Sequence, residues 1–328
     1  MKTIGVILLN LGGPDSLEAV RPFLYNLFSD REIIKLGPPF LQKPLAWMIS
    51  GLRSGKAKKM YRLIGGKSPL LDITLAQASA LQNSLNSASS AQHASPHFMV
   101  YVGMTYWRPF IEDTVAGMYR DGIKAALAVS LYPHYCIATS GSALSRFTDA
   151  LRQYPLESST ISSWFNHPLY IEALVDSITK GLEAFPQGNV DILFSAHSLP
   201  ISIIESGDPY VEHIKETIKE VVSRVDVPWH LSYQSKTGPV KWLSPTTEEK
   251  ILELSQKRVR NLLVVPISFV SDHIETLYEI DILYKKRAHE LGMRLERVES
   301  LNTHPLLIKA LNDLIMKRLE GMKGMVDS

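Results

Sequence analysis

The stretch NLLVVPISFVSDHIETLYEID, residues 261–281, is a strand that passes directly into a helix. Its apolar start does not alternate with polar residues, as expected of a strand covered on both faces. Pro266 ends the ladder, Ser271 is placed to cap, and His273, Glu275, Glu279 and Asp281 crowd the start of the helix that follows. Similar runs lie at 3–9, 97–104, 125–131, 191–195, 230–234 and 294–298. Helical windows separate them at 16–28, 74–88, 110–120, 141–154, 167–184, 208–225, 246–258, 272–291 and 305–318. Apolar strands alternating with helices imply an α/β protein whose parallel sheets are flanked by helices on both sides. A boundary near QYPLESSTISSWFNHP (153–168) places about four strands on either side. Two similar α/β halves then face each other across a cleft, where such folds bind ligands. The polar stretch NSLNSASSAQHASP (83–96) reads as a surface loop after a helix.

Composition narrows the chemistry. The 328 residues are 45% apolar and 21% charged, which excludes disordered, collagen-like and coiled-coil classes. Cys136 is the one cysteine, so a disulfide framework, a zinc site with several thiolates and a four-cysteine iron–sulfur cluster are excluded. A metal handled here is held mainly by histidine, carboxylate or other oxygen donors.

The net charge of +2 hides a strong asymmetry. Between Glu32 and Asp72 lie eight basic residues and no acidic one, while the remainder holds 27 basic and 33 acidic residues. A single basic patch of this kind suits an anionic small molecule or a membrane surface better than a nucleic acid. Just before it, LGPPFLQKPLAWMISGL (36–52) is apolar but carries Lys43, Gln42 and three prolines. It is fit to rest on a membrane or line a greasy pocket mouth and unfit to span. The start MKTIGVILLNLGGP reads as a buried strand, without the cleavage pattern of a secretory signal.

Three lookalike motifs fail. GGKSP (65–69) has Tyr61 where a phosphate-binding loop needs glycine, LGGP (11–14) lacks the third glycine of a dinucleotide fingerprint, and SAHSLP (195–200) is no nucleophile elbow. What remains is DILFSAHSLP (191–200), a buried strand that delivers His197 to the carboxyl edge of a sheet, together with the acidic helix start. On an α-helix Glu275 and Glu279 share a face with Tyr278 nearby, and His273 falls on the opposite side unless a π-bulge widens the turn. Acidic residues at a helix start also serve as plain dipole partners. An imidazole beside a row of carboxylates nevertheless describes a transient site for a divalent first-row metal, or a route for protons.

The chain resembles the ferrochelatases, which insert ferrous iron into a porphyrin. The resemblance rests on LLNLGGP (8–14), FLYNLFSD (23–30), YRLIGGKSPL (61–70), LYPHY with TSGS (131–142), SAHSLP, YQSKTGPVKWLSP (233–245) and PISFVSDHIETLYEID (266–281). It implies two Rossmann-like domains around a porphyrin cleft, 1–160 with a returning C-terminal helix at 305–328, and 161–304. By matching position, His197 and Glu275 become the central catalytic and metal-binding pair. Glu279 and Asp281 extend an acidic line behind them as a metal or proton path, and His273 orients Glu275. Leu11, Arg53, Tyr61 and Ser68 fall where the family contacts porphyrin, with Arg53 facing a propionate. The resemblance also implies a cytoplasmic enzyme of the lyase class in haem synthesis, with peripheral membrane contact. Porphyrin and Fe2+ are its substrates, no cofactor is permanently bound and nucleic acid is not a partner.

Two departures sharpen this. Met104-Thr105-Tyr106 stands where many relatives have an arginine before the tyrosine, and Leu11 replaces the tyrosine typical of coproporphyrin-using members. The second departure favours protoporphyrin IX over coproporphyrin III. With one thiol, the chain is expected to be a cluster-free member. A cobalt or sirohydrochlorin chelatase and a non-enzymatic haem binder are the alternatives.

Overall fold

The computed structural model describes residues 3–321 apart from 90–95, 187, 237 and 239. Eight strands are described: β1 (Thr3–Asn10), β2 (His97–Met104), β3 (Ala125–Ser130), β4 (Glu157–Ile161), β5 (Val190–His197), β6 (Trp229–Gln234), β7 (Asn261–Pro266) and β8 (Arg294–Arg297). They form two four-stranded sheets in the orders β2-β1-β3-β4 and β6-β5-β7-β8, with every pairing parallel. The second sheet repeats the connectivity of the first, so the chain folds as two α/β halves of like design.

Strand β1 shows why the apolar runs did not alternate. Val6 and Leu8 point into one core with Leu127 and Val129, while Ile7 and Leu9 point into another with Ile111, Val115 and Phe147. Helices cover both faces, so both sets of side chains leave water. The first of these cores is continuous with the second half, where it takes in Phe194, Val265, Trp164 and Tyr170. A third apolar cluster, around Leu193, Ile251 and Ile280, lies on the other face of the second sheet.

The C-terminal helix Pro305–Glu320 buries Leu307, Ile308, Leu311 and Ile315 in the shared core. It packs against the helices Leu70–Ser89 and Pro168–Leu182, with Asn312 Nδ2 donating to Ser84 Oγ at 2.8 Å and His304 Nε2 2.8 Å from Asp176.

Three segments depart from the sequence-based expectation. Strand β4, ESSTI, is polar and only partly buried because it lies at a sheet edge, where half its surface needs no apolar cover. The apolar-then-basic lip folds into the helix Gln42–Leu63, whose glycines and scattered apolar residues mask the helical period. The helix Leu70–Ser89 runs well into the polar stretch expected to be a loop, and part of that stretch lies outside the described residues. Among the described residues no helix is long and apolar enough to cross a membrane.

Candidate active site

In parallel α/β sheets the loops that build a site leave the carboxyl ends of the strands. Here both sheets present those ends to one small cleft, lined by Asn10 and Leu11 at the end of β1, Leu131 and Tyr132 after β3, and Phe269 and His273 after β7. Two loops that mimic phosphate-binding motifs meet beside it. Gly12 has φ +83°, and a Cβ on Gly13 would lie 2.5 Å from the Ser68 side chain, so LGGP must stay glycine to lie against GGKSP. The Ser68 N–H donates to the Pro14 carbonyl at 2.8 Å and closes this contact.

The reactive groups come from the second half. His197 is the last residue of β5, and Glu275 opens a π-helical stretch, Glu275–Tyr284, that passes into the helix Lys285–Glu290. Its hydrogen bonds reach one residue further than in an α-helix, a geometry that recurs at functional sites. His197 Nδ1 lies 2.9 Å from Glu275 Oε2 and donates to it, because a carboxylate can only accept. In the neutral imidazole this bond leaves Nε2 as the free lone pair, and in the imidazolium both nitrogens donate. The side chains of His197 and Glu275 are 29% and 18% exposed, so the pair is screened but still reachable.

His273 precedes the helical stretch rather than lying on its far side. Its Nδ1 donates to the Ser271 carbonyl at 3.0 Å, and its Nε2 stands 3.7 Å from Glu275 Oε2. That separation is too long for a hydrogen bond and short enough for charge to be felt. Phe269 sits between the two imidazoles, with ring centroids 5.9 Å from His197 and 4.2 Å from His273.

The electrostatics follow from this packing. Burial alone would raise the Glu275 pKa, but the charge and hydrogen bond of His197 overcome it and hold the carboxyl far below its ordinary range. Burial would depress His197, but the neighbouring carboxylate of Glu275 raises it instead. Glu279 is pushed up to about 7 by burial and by the charge of Glu275, against a 2.7 Å hydrogen bond from Ser235 Oγ. A carboxyl that gains and loses a proton near neutrality lies behind the His197–Glu275 pair. Because folding raises this pKa, Glu279 costs no stability below the ordinary carboxyl range, and its cost is complete once pH exceeds about 7. Glu279→Gln is therefore expected to raise Tm by about 5 °C at pH 8 and to leave it unchanged near pH 4. Calorimetric scans across that range check the sign.

Asp281 does not join this line. Arg297 holds both its oxygens, at 2.8 and 2.9 Å, and also donates to Asp272 at 2.9 Å. Asp272 accepts further bonds from Thr276, Ser300 and Asn302. The side chain of Asp281 is thus part of a network that fixes the start of the π-helical stretch. From the first half, Gln77 reaches the same turn, its Nε2 donating to Ser271 Oγ at 3.0 Å and to the Asn302 carbonyl at 2.6 Å.

Tyr61 is buried on the helix Gln42–Leu63 and feels the charge of Glu275, which adds to burial in keeping its hydroxyl protonated. Arg53, one helical stretch earlier, is exposed with its guanidinium 5.5 Å from the centroid of the Phe28 ring. Cys136 is buried, and burial together with Asp208 pushes its thiol up to about 12, so the one thiol is a poor ligand for a passing metal.

Ser235, which holds Glu279, is not marked out by sequence, although its φ of +67° is unusual for a non-glycine residue. Nor is Phe269. Both lie inside the motifs quoted above, and only the fold shows what they touch.

Known proteins resemble this chain over nearly its whole length. The family model described as Ferrochelatase matches residues 3–319. The ferrochelatase of Desulfotalea psychrophila is 49% identical over 315 residues, covering 95% of this chain and 96% of its own. That of Geobacter metallireducens is 48% identical over 317 residues, covering 95% and 97%. Among solved structures, SirB from Bacillus subtilis with Fe3+ superposes with TM-score 0.55 at 12% identity, over 99% of this chain and 98% of its own. CbiX, the terminal enzyme of sirohaem biosynthesis in denitrifying bacteria, gives 0.50 at 11% identity, over 97% and 99%. These two share the two-halved chelatase fold. The family match and the close relatives go further, and by them this chain belongs to the ferrochelatase family.

Proposed function

We propose that the chain inserts Fe2+ into protoporphyrin IX, forming protohaem and releasing two protons, as a lyase-class step of haem synthesis. The observation that carries this reading is the His197–Glu275 pair, 2.9 Å apart at the carboxyl end of a strand and next to Phe269 and His273, which line an apolar cleft. Insertion requires both pyrrole N–H protons to leave while a divalent cation arrives. His197 Nε2 accepts a proton or meets the metal. Where Nε2 is the acceptor, it takes the two pyrrole protons in turn, Glu275 stabilises each imidazolium, and each proton is handed on to solvent through Glu279 before the next is taken. Iron is substrate here, held by imidazole and carboxylate and given up to the ring.

Leu11 supports protoporphyrin as the substrate, because it offers an apolar wall and no hydroxyl to the cleft. The lip agrees. Phe40, Trp47 and Leu52 are 76%, 61% and 78% exposed on a segment that also carries Lys43, Lys56, Lys58 and Lys59. A greasy surface bordered by cations suits peripheral contact with an anionic membrane, from which an apolar porphyrin can be drawn. On this reading the porphyrin-binding part is 1–160 with 305–328, and 161–304 carries the metal chemistry. Anaerobic incubation with Fe2+ and either protoporphyrin IX or coproporphyrin III, followed by loss of porphyrin fluorescence, tests the proposal. Faster turnover of coproporphyrin would reverse the substrate assignment.

In this scheme Arg53 binds a propionate, and Tyr61, Ser68 and Leu11 border the ring. Arg53→Ala is expected to raise KM for porphyrin about 10-fold, the loss of one charge-assisted contact. The single-turnover rate of the bound complex should change less than about threefold. A slowed single turnover with unchanged KM would remove Arg53 from this role.

A further inference from the structure

His197 stands where its strand has lost a neighbour. Main-chain groups of successive strand residues face alternate sides. Ser198 donates to the Gln234 carbonyl on the β6 side at 2.8 Å, which turns the N–H and C=O of His197 toward β7. The β5–β7 ladder stops short of it, with Ser195 opposite Pro266 and the Ile267 N–H bonded to the Ser195 carbonyl at 3.1 Å. His197 would therefore present two unpaired main-chain groups where the ladder ends.

Two buried hydroxyls take the place of the missing strand. The His197 N–H donates to Ser268 Oγ at 2.9 Å, and the Tyr210 hydroxyl donates to the His197 carbonyl at 3.0 Å. Tyr210 and Ser268 are themselves 2.5 Å apart. Because the tyrosine proton is committed to the carbonyl, Ser268 must donate to the tyrosine oxygen. The three bonds run in one direction around a closed ring, each hydroxyl accepting once and donating once, an arrangement in which the bonds strengthen one another. Both side chains are 5% exposed, and the Tyr210 ring is braced edge-on by His134 of the first half, with centroids 6.3 Å apart.

We propose that Tyr210 and Ser268 are positioning residues, which hold the main chain of His197 so that its imidazole meets Glu275 on one side and the substrate on the other. Neither touches the reacting atoms. The inference rests on the proposed role of His197 in insertion.

The test compares Tyr210→Phe, Ser268→Ala, their double variant and Ser268→Thr in the full-length protein. Anaerobic Fe2+ insertion is measured against porphyrin concentration, with thermal melts alongside. Each single removal is expected to lower kcat about 10-fold, as a displaced reactive group does, with KM for porphyrin unchanged. The double variant should fall no further than the singles, because one broken ring cannot be broken again. Ser268→Thr keeps the hydroxyl and should restore turnover to within about twofold of the parent. The proposal is overturned if either removal leaves kcat intact, if the losses multiply in the double variant, if KM carries the change, or if threonine is no better than alanine. Should Tyr210→Phe fail to fold, the contrast between alanine and threonine at 268 decides alone. An active His197→Ala would overturn the functional reading and this inference together. An inactive one beside unaffected Tyr210→Phe and Ser268→Ala would overturn the ring alone.

Discussion

His197→Ala is expected to lower kcat for Fe2+ insertion about 1,000-fold while the protein still folds and still binds porphyrin. The side chain is 29% exposed and contributes one side-chain hydrogen bond, so its removal leaves the cores of both sheets intact. What goes is the Nε2 lone pair and the partner that keeps Glu275 ionised. With that partner gone, only the smaller effect of His273 opposes burial and the Glu275 pKa climbs. One truncation thus removes an acceptor and weakens a second group. Porphyrin binding, read by quenching of intrinsic fluorescence, is expected to survive, and added imidazole should recover part of the turnover. Near-normal activity in this variant would sink the assignment of the site.

Glu275→Gln is expected to lower kcat about 100-fold with almost no change of shape. The variant removes the main charge that raises the His197 pKa, leaving only Glu279 to oppose the burial that depresses it, so the imidazole becomes a weaker base. Its effect on stability has a defined pH window. Glu275 has its pKa depressed on folding, so its contribution is present above the ordinary carboxyl value of 4.5 and is lost as pH falls. His197 has its pKa raised, so its contribution is complete below the ordinary value of 6.5 and is lost as pH rises. Both conditions hold between these values. The difference in Tm between the parent and Glu275→Gln should be widest near pH 5–6 and narrow on either side. A difference that grows steadily toward alkaline pH would contradict the pairing.

Much of this site is legible in the amino-acid sequence alone. The apolar run at 261–266 and the strand leading to His197 announce parallel sheets, because side chains buried on both faces leave no room for alternation. Glu275 and Glu279 are legible as one acidic line because residues four apart remain neighbours on a helical surface, and the charge of Glu275 adds to burial in raising the Glu279 pKa. Asp281 reads as a third member, but nothing local reveals that Arg297, 16 residues later, claims both its oxygens. Tyr210 and Ser268 are invisible for the same reason. Their work depends on where β7 ends relative to β5, which is a matter of register between strands about 70 residues apart. Strand β4 is polar because it lies at an edge, and edge position is a property of the sheet as a whole.

The apolar core that runs unbroken from Leu8 and Val129 of the first sheet to Phe194 and Val265 of the second has a mechanical meaning. Hinged α/β pairs open like a shell by peeling one half from the other. Here such a motion would drag the C-terminal helix from its seat and wet the shared core, at roughly 25 cal/mol for each Å2 of apolar surface exposed. The two halves are therefore braced at a fixed spacing, like a clamp already tightened, while the helix Gln42–Leu63 carries Trp47, Met48 and Leu52 in solvent.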